Sequence, residues 1–422
     1  MSPNSQSSSA SGLDLSKWRN LPVILIVIGA IGAGAGLALG SVKQFAFSWL
    51  LAFMFSLSLC LGGWFLVMVH HLFDASWSVA TRRLCEHIAC LLAPTLLILF
   101  LPIAIFAKQI YHWMNESPPD HSVLAKHPWF TMPGFYLTMA ALFVIWWFWS
   151  NRLRYWSLQQ DQTGSAECTG KMRVYAATGI VLFALTLTAA AMLLMKGLMT
   201  EWYSTMYGVT YFASSVWVTL PTVYVITLIL QRTTALRDVV KENTYYMIGS
   251  LFFAFTVFWA YVNFSQYFII WNANMPEETF WYKLREVGSW KYVGQIVIIF
   301  GHFFIPFLML LRIDWKLKLI PMVPLLAWAW LMHFVDLEFQ IMPALHPKSI
   351  FSDGGWLVDL ACVLFFVGVL MKVLIASIMR YPVYPQKDPR MSEMLGVYMP
   401  PTAGISSLPP AVAGSISPKG AK

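Results

Sequence analysis

Eight side chains have the chemistry of proton carriers. His70, His71, Asp74, Glu86 and His87 crowd one short stretch, while His302, His333 and Asp359 are spread through the last third of the chain. Imidazoles and carboxyls exchange protons near neutrality, so a row of them between water and an apolar interior can relay protons. A second set, Asn263, Ser265 and Gln266, sits inside the apolar run YVNFSQYFIIWNANMPEETFWY, residues 261–282. Such groups are costly in hydrocarbon unless paired, which directs this face toward a bundle interior, a cavity or a neighbour. Plainer readings stand beside these. The first cluster can cap helix ends, His302 can be a core histidine, and Asp336 and Glu338 read as ordinary loop residues.

The elements that position these groups follow from composition. Of 422 residues, 58% are hydrophobic and 11% charged. So few charges cannot cover a soluble domain of this size, and the long apolar runs predict an all-α integral membrane protein rather than a barrel. About ten spans are expected, starting near Leu21, Phe47, Ile88, Thr131, Val174, Val209, Tyr245, Tyr292, Leu319 and Gly355. With the N-terminus inside, 20 of the 28 Lys and Arg residues fall in inner segments, so both termini are expected to be cytoplasmic. The net charge of +8 is then a topology signal; the bases form no stripe for nucleic acid.

The five cysteines show no CxxC spacing and none falls in an expected outer loop, which argues for buried free thiols. No histidine pair repeats on two spans, so a b-type haem is not expected, and no metal ligands are assigned. Motifs for phosphoryl transfer or hydrolysis are likewise missing from the sequence.

Comparing the chain with itself at an offset of 158 aligns Arg83 with Lys241, Trp113 with Trp271, Pro118 with Pro276, Asp120 with Glu278, and Arg154 with Arg312. Spans two to five and six to nine then read as two four-helix bundles related in parallel, flanked by spans one and ten. The expected order is a mobile N-terminus (1–20), a first span (21–45), a first bundle (46–197) and a second bundle (198–336). An outer loop with the last span (337–380) and a Pro/Ser/Gly-rich tail (381–422) follow. Gly32, Gly36 and Gly40 suggest that the first span packs closely on another. The tail is expected to be disordered or laid across a neighbour.

The 261–282 stretch and FMFSLSLCLGGWFLVMVHHLFDASWSVATRRLCEHIA, residues 53–89, resemble the ActF-type membrane subunit of bacterial alternative complex III. That complex is a quinol:cytochrome c oxidoreductase, and the subunit falls within the NrfD/PsrC-like family. The resemblance covers roughly residues 21–380. It implies paired four-helix bundles in the bacterial inner membrane, with no redox cofactor held by this chain. It further implies membrane lipids, an ActC-like sister subunit, small membrane subunits, and periplasmic iron–sulfur and haem c subunits as partners. Quinone becomes a candidate ligand for Asn263, Ser265 and Gln266. Proton translocation through two half-channels becomes a candidate role for the two titratable groups. The acidic, aromatic cap after residue 271 reads as a docking surface for the periplasmic subunits. A secondary transporter with parallel repeats and a purely structural scaffold are the competing readings.

Overall fold

The computed structural model describes residues 20–233, 236–237, 239–351 and 354–394. The N-terminal segment before residue 20 and the tail beyond 394 lie outside the described residues, and with them the expectations of mobility there. Ten helices are long and apolar enough to cross a membrane, and no strand occurs among the described residues. The chain is an all-α integral membrane protein.

The spans are α1 (Leu21–Leu39), α2 (Val42–Leu72), α3 (Val79–Ile105), α4 (Met132–Thr163) and α5 (Ala166–Leu198). They continue with α6 (Tyr207–Thr233), α7 (Glu242–Ala273), α8 (Trp290–Leu311), α9 (Leu319–Ala344) and α10 (Gly355–Arg380). Local chemistry sets several ends. The Ser41 and Thr131 hydroxyls accept from the backbone N–H of Gln44 and Gly134, capping α2 and α4. Gly164 and Asn274 adopt left-handed backbone at φ 69° and 48° and close α4 and α7.

Three boundaries differ from expectation. The first span ends at Leu39 instead of 45, because the Ser41 cap starts α2 at once. Helix α3 begins at Val79, well before Ile88, and its charged first turns are buried in ion pairs. The ninth span runs past 336, its α-helix reaching Ile341, so Asp336 and Glu338 are buried helix residues and not loop.

Helices α2–α5 form one ring of neighbours and α6–α9 a second, joined chiefly by α2 against α6. The approach is close at Gly62, where an added Cβ would lie 2.2 Å from Thr219 Oγ1 and 2.5 Å from the Ser215 carbonyl oxygen. Across this seam Tyr211 Oη donates to the Met54 carbonyl (2.8 Å) and Thr219 Oγ1 to that of Leu59 (3.1 Å). Helix α1 packs on α10, which leans on α2. Gly32 and Gly36 make that contact with Ala361 and Val358, whereas Gly40 ends its own helix instead.

The repeat is unequal in detail. Arg83 is buried in ion pairs while Lys241, its partner by offset, is exposed. Helix α8 winds as a π-helix over Val293–Phe304, whereas α4, its counterpart, is a continuous α-helix. Wide turns of this kind admit an extra residue per turn and recur at functional sites.

Candidate functional site

The second ring encloses a cavity of about 660 Å³ between α7, α8 and α9. Its roof is the helix Pro276–Arg285, whose Trp281 stacks on Trp202 at 4.6 Å. Arg285 fixes this roof by donating to the carbonyls of Trp281, Phe339 and Gln340 at 2.8–2.9 Å. Burial lowers its pKa to about 9, although Tyr207 and Tyr282 act the other way. The 261–282 stretch thus supplies both a wall and a lid. Glu277 of its cap is exposed and Glu278 half-buried.

Of the three amide and hydroxyl candidates, Asn263 and Gln266 line the cavity and Ser265 does not. Asn263 Nδ2 is held by the Trp259 carbonyl (2.9 Å) and Gln266 Nε2 by Ser204 Oγ (2.6 Å), which leaves both side-chain carbonyl oxygens available to a ligand. The walls are otherwise mainly aromatic and aliphatic, and Tyr261, Phe264 and Ile299 on them are exposed. The cavity therefore communicates sideways with the lipid-facing surface. Its size and lining suit a flat, apolar ligand with a few polar atoms.

Asp336 reaches the cavity from α9 and belongs to a buried trio with His302 and His333, whose ligand atoms lie within 4.8 Å of one another. His302 is sandwiched between Trp217 and Trp259, with both ring centroids 3.7 Å away and tilted by 20°. Neither of its ring nitrogens has a protein partner. Ser58 Oγ donates its one proton to the Phe55 carbonyl (2.7 Å), so at 2.8 Å it accepts from His333 Nε2. His333 Nδ1 is buried without a partner. Ser214 Oγ donates to Asp336 Oδ2 at 3.1 Å. Of the three only Asp336 lines the cavity and can meet a ligand there directly, and the donor set of the trio could hold a divalent ion, which sequence reading did not anticipate.

Asp359 stands apart from this trio. It receives Ser48 Oγ at 2.5 Å and Gln44 Nε2 at 3.1 Å, Gln44 Oε1 meets His346 Nε2, and Glu338 lies near it with neither carboxylate oxygen hydrogen-bonded. Five helical residues turn Glu338 about 140° away from His333 on α9, so one helix serves two separate polar networks.

The His70–His87 cluster lies on the opposite, Arg-rich face, and it is a network of ion pairs. Glu86 sits between Arg82 (3.2 Å) and Arg83 (3.5 Å), and Asp74 pairs with Arg173 and Arg390. His70 Nδ1 meets Ser78 Oγ at 2.6 Å, and His87 Nδ1 meets Ser377 Oγ at 2.8 Å. His71 is fully buried with neither ring nitrogen partnered.

Sequence reading missed the residues that complete this cluster. Residues 381–394 fold back as a strap across the Arg-rich face. Asp388 pairs with Arg82 and Arg390, and Gln386 N–H donates to Asp161, itself paired with Arg83. Burial pushes the Asp388 carboxyl up, but the His70 contact and the charges of Arg82 and Arg390 outweigh it and hold it well below the usual carboxylate range. From this cluster to the trio, Ser58 to His70 spans about 18 Å along α2. Only apolar side chains, glycines, Cys60 and the unpartnered indole of Trp64 lie on that stretch. A scan against protein-family models finds no match for this chain, and a search of curated proteins finds none either.

Proposed function

We propose that this chain is a non-haem integral membrane subunit of a quinol:cytochrome c oxidoreductase of the alternative complex III type, working in an electron-transport chain. The reading rests on the sequence resemblance, and one structural observation carries it further. A cavity of about 660 Å³, open toward lipid, places Asn263 and Gln266 on its wall and Asp336 of the buried trio at its edge. A quinone head group needs an apolar slot with a few amide contacts, and a quinol also needs proton acceptors within reach. His302, His333 and Asp336 are those acceptors in this reading, and the electrons pass to iron–sulfur and haem c subunits on the far side. An ActC-like sister subunit and small membrane subunits complete the assembly.

The distribution of Lys and Arg supports placing the Arg-rich face and both termini in the cytoplasm of a bacterial cell. The two polar networks on α9 then serve as the outer half of a proton path and the His70–His87 cluster as the inner half. The exposed Glu277 cap and its aromatic neighbours form a docking face for the periplasmic subunits. A secondary transporter gains little support, since the π-helical winding of α8 has no counterpart in α4.

Purification under mild detergent tests the reading. Copurification of iron–sulfur and haem c proteins, with a quinone analogue displaced by Asp336→Asn, is the expected result. A protein that emerges alone and catalyses substrate uptake in vesicles would overturn it.

A further inference from the structure

Lys126 and Lys196 converge on one acceptor. Lys126 lies in the segment that leads into α4, and Lys196 lies in the last turn of α5, on the face opposite the Arg-rich one. Both ammonium groups donate to the Thr200 carbonyl, Lys196 at 3.4 Å. The Tyr203 ring lies 4.4 Å from Lys126 Nζ and 5.2 Å from Lys196 Nζ, and Phe130 covers both from the other side at 5.6 and 5.9 Å. Lys196 is only 6% exposed.

Two ammonium groups carry six N–H donors, and this protein meets them with a single carbonyl oxygen. Among the described residues neither lysine forms an ion pair. The carboxylate that acts on Lys126 from a distance, Asp120, spends an oxygen on Ser122 N–H and Oγ instead. Holding two like charges together in a half-buried aromatic box is unfavourable unless an anion joins them or one lysine gives up its proton.

We propose that Lys126 and Lys196 form a binding site for a phosphate group, occupied by the head group of an anionic phospholipid. A phosphate presents several acceptor oxygens at once and can bridge both ammonium groups. Depth favours a lipid over free phosphate or an acidic protein segment. The pair sits where α4 begins and α5 ends, at the level of a membrane boundary, beside the exposed rings of Trp129 and Tyr203. Below it, the exposed Leu137 and Leu185 of these two helices offer an apolar surface to acyl chains. This site is independent of the cavity reading.

Delipidated full-length protein in detergent is titrated with short-chain phosphatidylglycerol, with phosphatidylcholine and with inorganic phosphate. Binding is followed by native mass spectrometry and by thermal shift. Saturable binding of phosphatidylglycerol is expected, with little from phosphatidylcholine. Lys126→Met and Lys196→Met each weaken it by about fivefold or more, while Lys196→Arg retains it and shows that the site still folds. Equal affinity in Lys126→Met and the unaltered protein would overturn the site. Binding of inorganic phosphate to the lysine pair without phosphatidylglycerol binding would overturn the lipid assignment, and so would binding of neither probe.

Discussion

Asp388 and Arg82 stand 306 residues apart in sequence and form a fully buried ion pair. Arg390 completes it from the other side, with its Nε 3.0 Å from Asp388 Oδ1. Removing the carboxylate leaves two guanidinium groups facing each other, with only Glu86 beside Arg82 and Asp74 beside Arg390 to offset them. Asp388→Asn is therefore expected to cost about 3 kcal/mol of stability, read as a lowered unfolding midpoint in detergent. Lys387→Ala, which removes a neighbouring exposed amine, serves as the control and shifts the midpoint little.

The same pair sets an acid limit. The Asp388 carboxyl is held below its ordinary range in the folded protein, so its contribution is complete above the unfolded value near pH 4 and fades as pH falls further. Stability curves of the unaltered protein and Asp388→Asn should lie apart from pH 5 to 7 and converge below about pH 4. A constant gap down to pH 2 would remove Asp388 as the titrating group.

Cavity substitutions separate ligand contacts from packing. Gln266→Leu and Asn263→Leu are expected to weaken quinone-analogue binding by about tenfold each, for roughly 1–1.5 kcal/mol per lost hydrogen bond. Ser265→Ala, which touches no cavity wall, should leave the affinity unchanged. If all three behave alike in a binding titration, the cavity is not where the quinone sits.

The seam between the two rings tolerates no side chain at Gly62. An alanine methyl there meets the Ser215 backbone oxygen at 2.5 Å, and a backbone atom cannot swing aside. Gly62→Ala should cost about 1–3 kcal/mol, measured as a loss of thermal stability. Gly34→Ala, which meets nothing within 4 Å, should be neutral.

Hydropathy carries most of the fold, because a membrane imposes a length and a polarity on every span that crosses it. Span number and order were legible for that reason. Span ends were less so where charged residues are buried: Arg82, Arg83 and Glu86 read as a polar loop until their mutual pairing is known. The site was legible in pieces. Asn263 and Gln266 stand out as polar residues in an apolar run, whereas Asp336 reads as a loop residue until the helix is seen to continue to Ile341 and to place it on one face with His333. What could not be read was contact between distant segments. Trp217 and Trp259 stack on His302 from two other helices, and Asp388 lies in a stretch whose Pro-rich composition signals no structure.

The strap also has a consequence in time. A chain made from its N-terminus places α3 in the membrane long before residue 388 exists. Until then Arg82 lacks Asp388, Arg83 gains Asp161 only when α4 is made, and Glu86 is the one carboxylate beside both from the start. Newly made, the two arginines therefore leave an excess of positive charge at the start of α3. Once residues 381–394 are made, the two arginines become the anchor onto which that strap closes. The charge left in excess early in synthesis is thus the charge that the strap neutralises late.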